Sequence, residues 1–573
     1  MKHFKRAAAM LLAVVLSLCL AVTAFAAEGE EKLTGTLTVT GSGLYIPGEG
    51  EAADTSKKVT AIRMFTARAT EAANPNPNTF DSYVLEKKWE DFFKKDDVFK
   101  AMKDAGATTV STAADLDSAA LSDAAVAYIN TLLSETTTSK GTTLVDFAHK
   151  AQKWARDNNT TLTAKPSLVT VAAATQDSGE DKTKGTARFE NLTAGYYLVF
   201  PEGGSTGKNS RGTDAILVNV PKNGGVTEQT IKSTFPTVDK KVQTTEGGNP
   251  TDNGTAQVGD TVTFKLTAKV PDMTDYDKYT FKFIDKLSDG LEFVADSVEV
   301  NIANNKITAG ANTYSATYED TTKTLTVAFD DLKNVVKNGT DKVATDDEIV
   351  VTYKAKITKD AVTTNPAKNT VYLEYSNNPG TDELGKSNPD ESKVYTYDIN
   401  IFKFYKGEEN AETALANATF KLTASEESTS EAIKLVAEAD GKTYHVADAK
   451  ELEDTSVTKV TEVTTGADGK ITIKGLKAGT YYLHETIAPT GYNKLKKPIE
   501  IKIDVTNNDY TKPSYTVNGT PNKANDSTIK VENVKGVMLP ETGSIGTIGL
   551  TALGVAVVLL GVFAPRKKKK ENQ

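Results

Sequence analysis

Three polar residues, far apart in the chain, share one signature. Strict alternation puts Lys240 on the apolar side of Val238-Asp239-Lys240-Lys241-Val242, with both valines. It puts Asp285 beside Tyr279, Phe281 and Phe283, and Asn369 beside Val371, Leu373 and Tyr375, because alternate side chains of a strand share a face. An uncompensated charge in an apolar core is costly or reverts to its neutral form. Burial lowers a lysine pKa and raises that of an aspartate, so the three together would set a free amine and a protonated acid beside a carboxamide. Attack of the amine on the carboxamide carbon would expel ammonia and leave a Lys–Asn isopeptide bond, formed once, with the fold supplying proximity. Edge-strand charges facing solvent fit the same alternation, and parity by itself leaves both readings open. A second set follows the pattern further on: Lys403 alternates with Ile399, Ile401 and Tyr405, and Asn533 with Ile529 and Val531.

The elements that would hold these residues are strands. The 573-residue chain is rich in Thr, Val and Tyr, and alternation is common, which favours sheet. Thr36 to Thr40, Lys58 to Phe65, Ala187 to Leu192, Gly195 to Phe200, Asp214 to Val220 and Thr227 to Lys232 read as strands of a first domain. Between about Asp81 and Asp157 the period changes: Leu85, Trp89, Phe92 and Phe93 share one helical face, as do Leu144, Phe147, Ala148, Ala151, Trp154 and Ala155. This predicts a helical insertion packed on the first sheet. A proline at Pro236, between two strand patterns, marks a domain boundary. The expected division is 27–235, 236–393 and 394–536, three β-sandwich domains in tandem.

Both ends of the chain carry sorting information. Lys2, Lys5 and Arg6 precede the apolar stretch Ala7 to Leu20, and Ala24-Phe25-Ala26 supplies small residues for signal-peptidase cleavage, so residues 1–26 read as a signal peptide. At the other end Leu539-Pro540-Glu541-Thr542-Gly543 precedes the apolar run Ile545 to Phe563 and the basic cluster Arg566 to Lys570. The run, roughly 19 residues at about 1.5 Å each, is long enough to cross a bilayer core of about 30 Å, and the cluster behind it marks the cytoplasmic side. The sole cysteine, Cys19, lies in the signal segment, so no disulfide is available to the exported domains.

The pentapeptide, apolar helix and basic tail closely resemble the sorting signal that sortases cut in Gram-positive surface proteins. That resemblance implies cleavage between Thr542 and Gly543, capture of Thr542 as a thioester and its transfer to an amine. Gly479-Thr480-Tyr481-Tyr482-Leu483-His484-Glu485-Thr486-Ile487-Ala488-Pro489 resembles the E-box of CnaB-type domains, which implies Glu485 as the catalytic acid for Lys403 and Asn533. The segment around Asp285-Lys286-Leu287-Ser288-Asp289-Gly290-Leu291 resembles the Asp segment of isopeptide-forming fimbrial domains, which implies Asp285 as the acid for Lys240 and an Asn369 in the last strand. Thr230-Ile231-Lys232 ahead of Pro236-Thr237-Val238-Asp239-Lys240 resembles the acceptor-lysine region of sortase-assembled backbone pilins; Lys232 is the better match, and Lys222 of Val220-Pro221-Lys222 is the runner-up. The implied protein is mainly β, with tandem immunoglobulin-like CnaA- and CnaB-type sandwiches. It is a shaft subunit joined head to tail through Thr542 and bound for the cell wall. Its implied partners are sortases, identical subunits, tip and base minor pilins, and peptidoglycan. The alternative is a monomeric wall-anchored adhesin whose stalk carries the same bonds.

The first domain offers a contrast. Ala194-Gly195-Tyr196-Tyr197-Leu198-Val199-Phe200 resembles the E-box, and with one gap allowed it sets Phe200 where Glu485 stands, so no crosslink is expected there. Other chemistry lacks its residues. His149, His445 and His484 are too widely spaced for a metal centre or a nucleophile triad, the glycine-rich pieces read as turns, and no cofactor is expected. A net charge of -9 with 25% charged residues suits a solvated surface and not a nucleic-acid partner.

Overall fold

In a computed structural model of the chain, residues 33–536 are described except 46–56, 70–75, 135–143, 159–161, 164–167, 178–183, 203–214, 232–234, 275, 364, 378–381, 383, 428–430, 506–507 and 524–525. The signal segment, Lys232 and the sorting signal with its apolar run therefore lie outside the described residues. The described residues fall into two compact units, those within 1–256 and 260–395, and those within 257–259 and 396–573.

The first unit opens with a mixed domain. Its strands are β1 (Thr34–Gly41), β2 (Lys58–Arg68), β3 (Ser82–Leu85), β4 (Val169–Gln176), β5 (Gly185–Thr193), β6 (Gly195–Pro201), β7 (Ile216–Val220) and β8 (Val226–Thr230). They form one sheet in the order β7-β6-β2-β4-β5-β1-β8, with β3 added to β2. The insertion supplies α1 (Glu90–Phe93), α2 (Asp96–Asp104), α3 (Ser118–Ser134) and α4 (Leu144–Asp157). Leu85, expected on the first helical face, instead ends strand β3, because Phe65 of β2 pairs with it in the ladder. The two faces of β2 and β6 feed two cores. Val59, Ala61, Tyr197 and Val199 pack with Leu37, Val39 and Phe189, while Ile62, Tyr196 and Leu198 pack with Trp89, Phe92, Phe147 and Trp154 of the insertion.

The rest of this unit is a two-sheet sandwich. One sheet carries β9 (Val238–Gln243), β10 (Thr261–Lys269) and β13 (Glu348–Ile357) side by side; the other carries β12 (Thr324–Phe329), β11 (Phe281–Leu287), β14 (Ala367–Ser376) and β15 (Asp390–Tyr395). Thr-Val-Thr-Phe-Lys-Leu-Thr-Ala-Lys of β10 alternates buried and unburied without a break, the pattern that a half-buried strand requires.

The second unit repeats the two-sheet plan. First-strand β16 (Tyr397–Lys406) lies between β18 (Lys470–Leu476) and the final strand β21 (Thr528–Glu532), which runs parallel to it. The other sheet sets β19 (Gly479–Ile487) between β17 (Thr419–Thr423) and β20 (Ile499–Asp504). Gly469 sits at φ +66, where a Cβ would come within 2.4 Å of the Lys403 carbonyl oxygen. Only glycine combines that left-handed conformation with so close an approach, which lets its own carbonyl accept the Lys403 N–H at 2.8 Å.

Candidate functional sites: two buried lysine–acid–asparagine trios

Each sandwich brings its predicted residues together in the dry space between sheets. In the middle domain Lys240, Asp285 and Asn369 are all 0% exposed, which decides against solvent-facing edge charges. Lys240 projects from β9 of one sheet; Asp285 of β11 and Asn369 of β14 project from the other, two rungs apart on neighbouring strands. Lys240 Nζ lies 2.6 Å from Asp285 Oδ2. Burial pushes the Lys240 amine down and the Asp285 carboxyl up, each opposed by the other's charge. A neutral amine beside a neutral acid is the state that nucleophilic attack on an amide requires. Asp285 Oδ1 and Asn369 Oδ1 have no hydrogen-bond partner, an arrangement that stable cores avoid.

One member of this site is absent from the sequence reading. Tyr353 of β13 donates its hydroxyl to Asp285 Oδ2 at 2.8 Å and accepts from Asn369 Nδ2 at 2.5 Å. Alternation of Ile349, Val351, Tyr353, Ala355 and Ile357 already aims it inward, and a buried tyrosine hydroxyl needs a polar partner. Another departure concerns Asn369, which lies on β14 and not on the last strand; β15 follows and pairs with it, Asn369 opposite Ser392.

In the C-terminal domain Lys403 of β16, Glu485 of β19 and Asn533, one residue past β21, are 0%, 4% and 2% exposed. Lys403 Nζ donates to Asn533 Oδ1 and lies 3.3 Å from Glu485 Oε1. Asn533 Nδ2 donates to that same Oε1 at 2.9 Å. The backbone orients the set: the Asn533 N–H donates to the Phe404 carbonyl at 2.9 Å, and the Leu495 N–H holds Glu485 Oε2 at 2.8 Å. Burial lowers the Lys403 pKa, with the Glu485 charge opposing. Amine, acid and both ends of the carboxamide are thus in mutual contact, the proximity that an amidation between them would need.

Two family models match parts of the chain. Residues 400–518 match the family model described as SpaA, a prealbumin-like fold domain, a span that holds Lys403 and Glu485. Residues 532–573 match the LPXTG cell wall anchor motif, a span that holds Asn533 and Leu539 to Gly543. This is a cell-wall-anchored surface protein. The anchor implies sortase and peptidoglycan as partners. No curated protein matches the chain. Among solved structures it is similar to the T6 backbone pilin of serotype M6 Streptococcus pyogenes, 17% identical over 82% of this chain and 80% of that one, with a TM-score of 0.39. It is also similar to two Corynebacterium diphtheriae major pilins. SpaD is 18% identical over 89% of this chain and 99% of that one, TM-score 0.38; SpaA is 17% identical over 87% and 99%, TM-score 0.40.

The N-terminal domain holds buried charge without this chemistry. Arg63 Nε donates to Glu86 Oε1 at 2.8 Å, and a guanidinium is no amine nucleophile at neutral pH. Lys57 is buried and lowered to about 7, yet its amine meets the Tyr375 hydroxyl and the Lys386 carbonyl and lies over Phe235, none of them an acid or a carboxamide. The E-box comparison also needs one change. Tyr197 donates its hydroxyl to the Thr193 carbonyl and Tyr481 to the Lys477 carbonyl, at 2.7 and 2.9 Å, so these two tyrosines correspond and no gap is needed. Counting on from them sets Pro201, in place of Phe200, opposite Glu485; neither is an acid. Lys222 is 3% exposed, its amine over the Phe80 ring. Among the described residues no group of three or more His, Cys, Asp or Glu could hold a metal ion.

Proposed function

We propose that this chain is the shaft subunit of a covalently polymerised, wall-anchored pilus, with a Lys240–Asn369 bond bracing the middle domain and a Lys403–Asn533 bond bracing the C-terminal one. The observation that carries the reading is the pair of buried trios set in tandem ahead of the anchor motif. A chain whose mature part lacks cysteine gains from them the covalent bracing that an extended fibre needs. Sortase would cleave after Thr542 and join its carbonyl to a lysine of an identical subunit, with minor pilins at tip and base and peptidoglycan at the end of the chain. Lys232 is the preferred acceptor, since the Lys222 amine is packed away on Phe80 and an acceptor must reach a thioester on another protein. In this role the chain is a substrate, and its only catalysis is the single turnover within each domain.

The test is an immunoblot of wall extracts boiled in denaturant, from cells that carry the matching pilus sortase. A high-mass ladder that disappears in Lys232→Ala and persists in Lys222→Ala is expected. A single anchored band from the unmutated chain would replace the shaft with a monomeric adhesin.

A further inference from the structure

The two trios differ in one link. Glu485 Oε1 touches both reacting groups of its site, 3.3 Å from the Lys403 amine and 2.9 Å from the Asn533 carboxamide nitrogen. Asp285 is one methylene shorter and meets only the Lys240 amine, at 2.6 Å. The nitrogen that must depart from Asn369 donates instead to the Tyr353 hydroxyl, at 2.5 Å, and that hydroxyl donates to the same Asp285 oxygen at 2.8 Å. We propose that Tyr353 is a catalytic proton relay for the middle-domain crosslink, delivering to the departing nitrogen of Asn369 the proton displaced from Lys240.

The balance is complete within the site. Lys240 Nζ attacks Asn369 Cγ, and its surplus proton passes to Asp285 as that neutral acid hands its own proton on to Tyr353. In the tetrahedral intermediate the former carboxamide nitrogen has lost its conjugation and become a basic amine, so its hydrogen bond with Tyr353 inverts. The hydroxyl gives its proton to that nitrogen and takes the one from Asp285 in its place. The Cγ–Nδ2 bond breaks, ammonia leaves, and the Nζ–Cγ amide remains, with acid and phenol returned to their starting states. Burial holds the Tyr353 phenol well above its ordinary pKa, so it starts protonated. The C-terminal domain needs no such residue because its glutamate spans the gap directly.

The inference rests on the reading that the middle domain forms its bond, and the full mature chain tests both. Joining of Lys240 to Asn369 is followed over time by peptide mapping after pulse labelling, with the Lys403–Asn533 bond of the same molecules as an internal reference. Tyr353→Phe keeps the ring, whose centroid lies 5.5 Å from Phe264 and 5.9 Å from Phe293. Removing a general acid–base group slows a reaction by about a hundredfold or more, so middle-domain joining is expected to slow by about that factor while the C-terminal bond forms on schedule. Adding Asp285→Glu to Tyr353→Phe should restore joining, because the longer acid can reach the departing nitrogen as Glu485 does. Joining at the unmutated rate in Tyr353→Phe would overturn the relay. So would loss of joining that Asp285→Glu does not rescue, in a domain whose near-ultraviolet spectrum matches that of Asn369→Ala; that result would leave Tyr353 a packing residue. If the unmutated chain itself fails to join Lys240 to Asn369, the bond reading falls and the relay with it.

Discussion

The middle and C-terminal sandwiches each bury a lysine, an acid and an asparagine together, through different placements. Lys403 stands on the first strand of its domain and Asn533 one residue past the last, which runs parallel beside it, so a bond between them would close the domain from entry to exit. Lys240 and Asn369 stand on opposite sheets, so a bond between them would staple the sandwich through its core. Tension applied to the two ends of the C-terminal domain would then pass through the crosslink. In the middle domain, β15 lies beyond the bond and is held by its ladder to β14 and by Asp390, whose Oδ2 accepts the Lys240 N–H at 2.7 Å. Strand position decides how much of each fold a single covalent bond protects.

The largest effect is expected where the bond encloses the most chain. Asn533→Ala removes a link between residues 130 apart in sequence, and closing a loop of that size with a crosslink contributes about 5 kcal/mol by analogy with disulfides. The C-terminal domain should melt well below its unmutated temperature in scanning calorimetry, and the variant chain should fall short of its own sequence mass by one ammonia fewer than the unmutated chain does. Asn369→Ala should do the same for the middle domain. Under force, the unmutated C-terminal domain should show almost no extension and the middle one a short extension from release of β15; equal extension in single-molecule pulling would erase the mechanical distinction.

The uncrosslinked variants should also differ in their response to pH. With Asn533 removed, the folded Lys403 amine releases its proton below the ordinary 10.5. Between those two values the unfolded chain binds more protons, so stability rises with pH in that window. Asn369→Ala should show the same rising limb from Lys240. It should also show a falling limb at acid pH, because folded Asp285 keeps its proton above the ordinary 3.8 and the folded state binds more protons there. Denaturant melts across pH would show the rising limb in both domains and, in the middle one, the falling limb that Asp285 contributes.

A shorter acid sharpens the comparison further. Glu485→Asp should withdraw the carboxylate from Asn533 Nδ2 and slow the C-terminal bond, which time-resolved peptide mapping would detect. The smallest effect concerns the tyrosine corners. Tyr481→Phe and Tyr197→Phe each remove one hydrogen bond to a carbonyl and should cost about 1 kcal/mol in denaturant unfolding, with no change in ammonia loss.

Much of this was legible in residue order because strands report their faces by parity. Lys240, Asp285, Asn369, Lys403 and Asn533 all turn inward as alternation predicts. Tyr353 escaped because an inward tyrosine reads as ordinary core until its hydroxyl partner is known, and that partner lies 68 residues away in sequence. The Leu495 N–H that orients Glu485 escaped for another reason: a backbone donor in a loop leaves no mark on side-chain pattern. Leu85 went to the wrong element because a four-residue strand beside a helix is too short to establish its own period. The offset between Phe200 and Pro201 came from matching adjacent tyrosines by letter, where only the hydroxyl bonds of Tyr197 and Tyr481 set the correspondence.

The most direct measurement is the intact mass of the secreted mature chain, followed by mapping of its joined peptides. The account predicts a mass lower than the sequence value by two molecules of ammonia, one joined pair holding Lys240 with Asn369 and the other holding Lys403 with Asn533. A chain at its full sequence mass, or one joined through other residues, would contradict it.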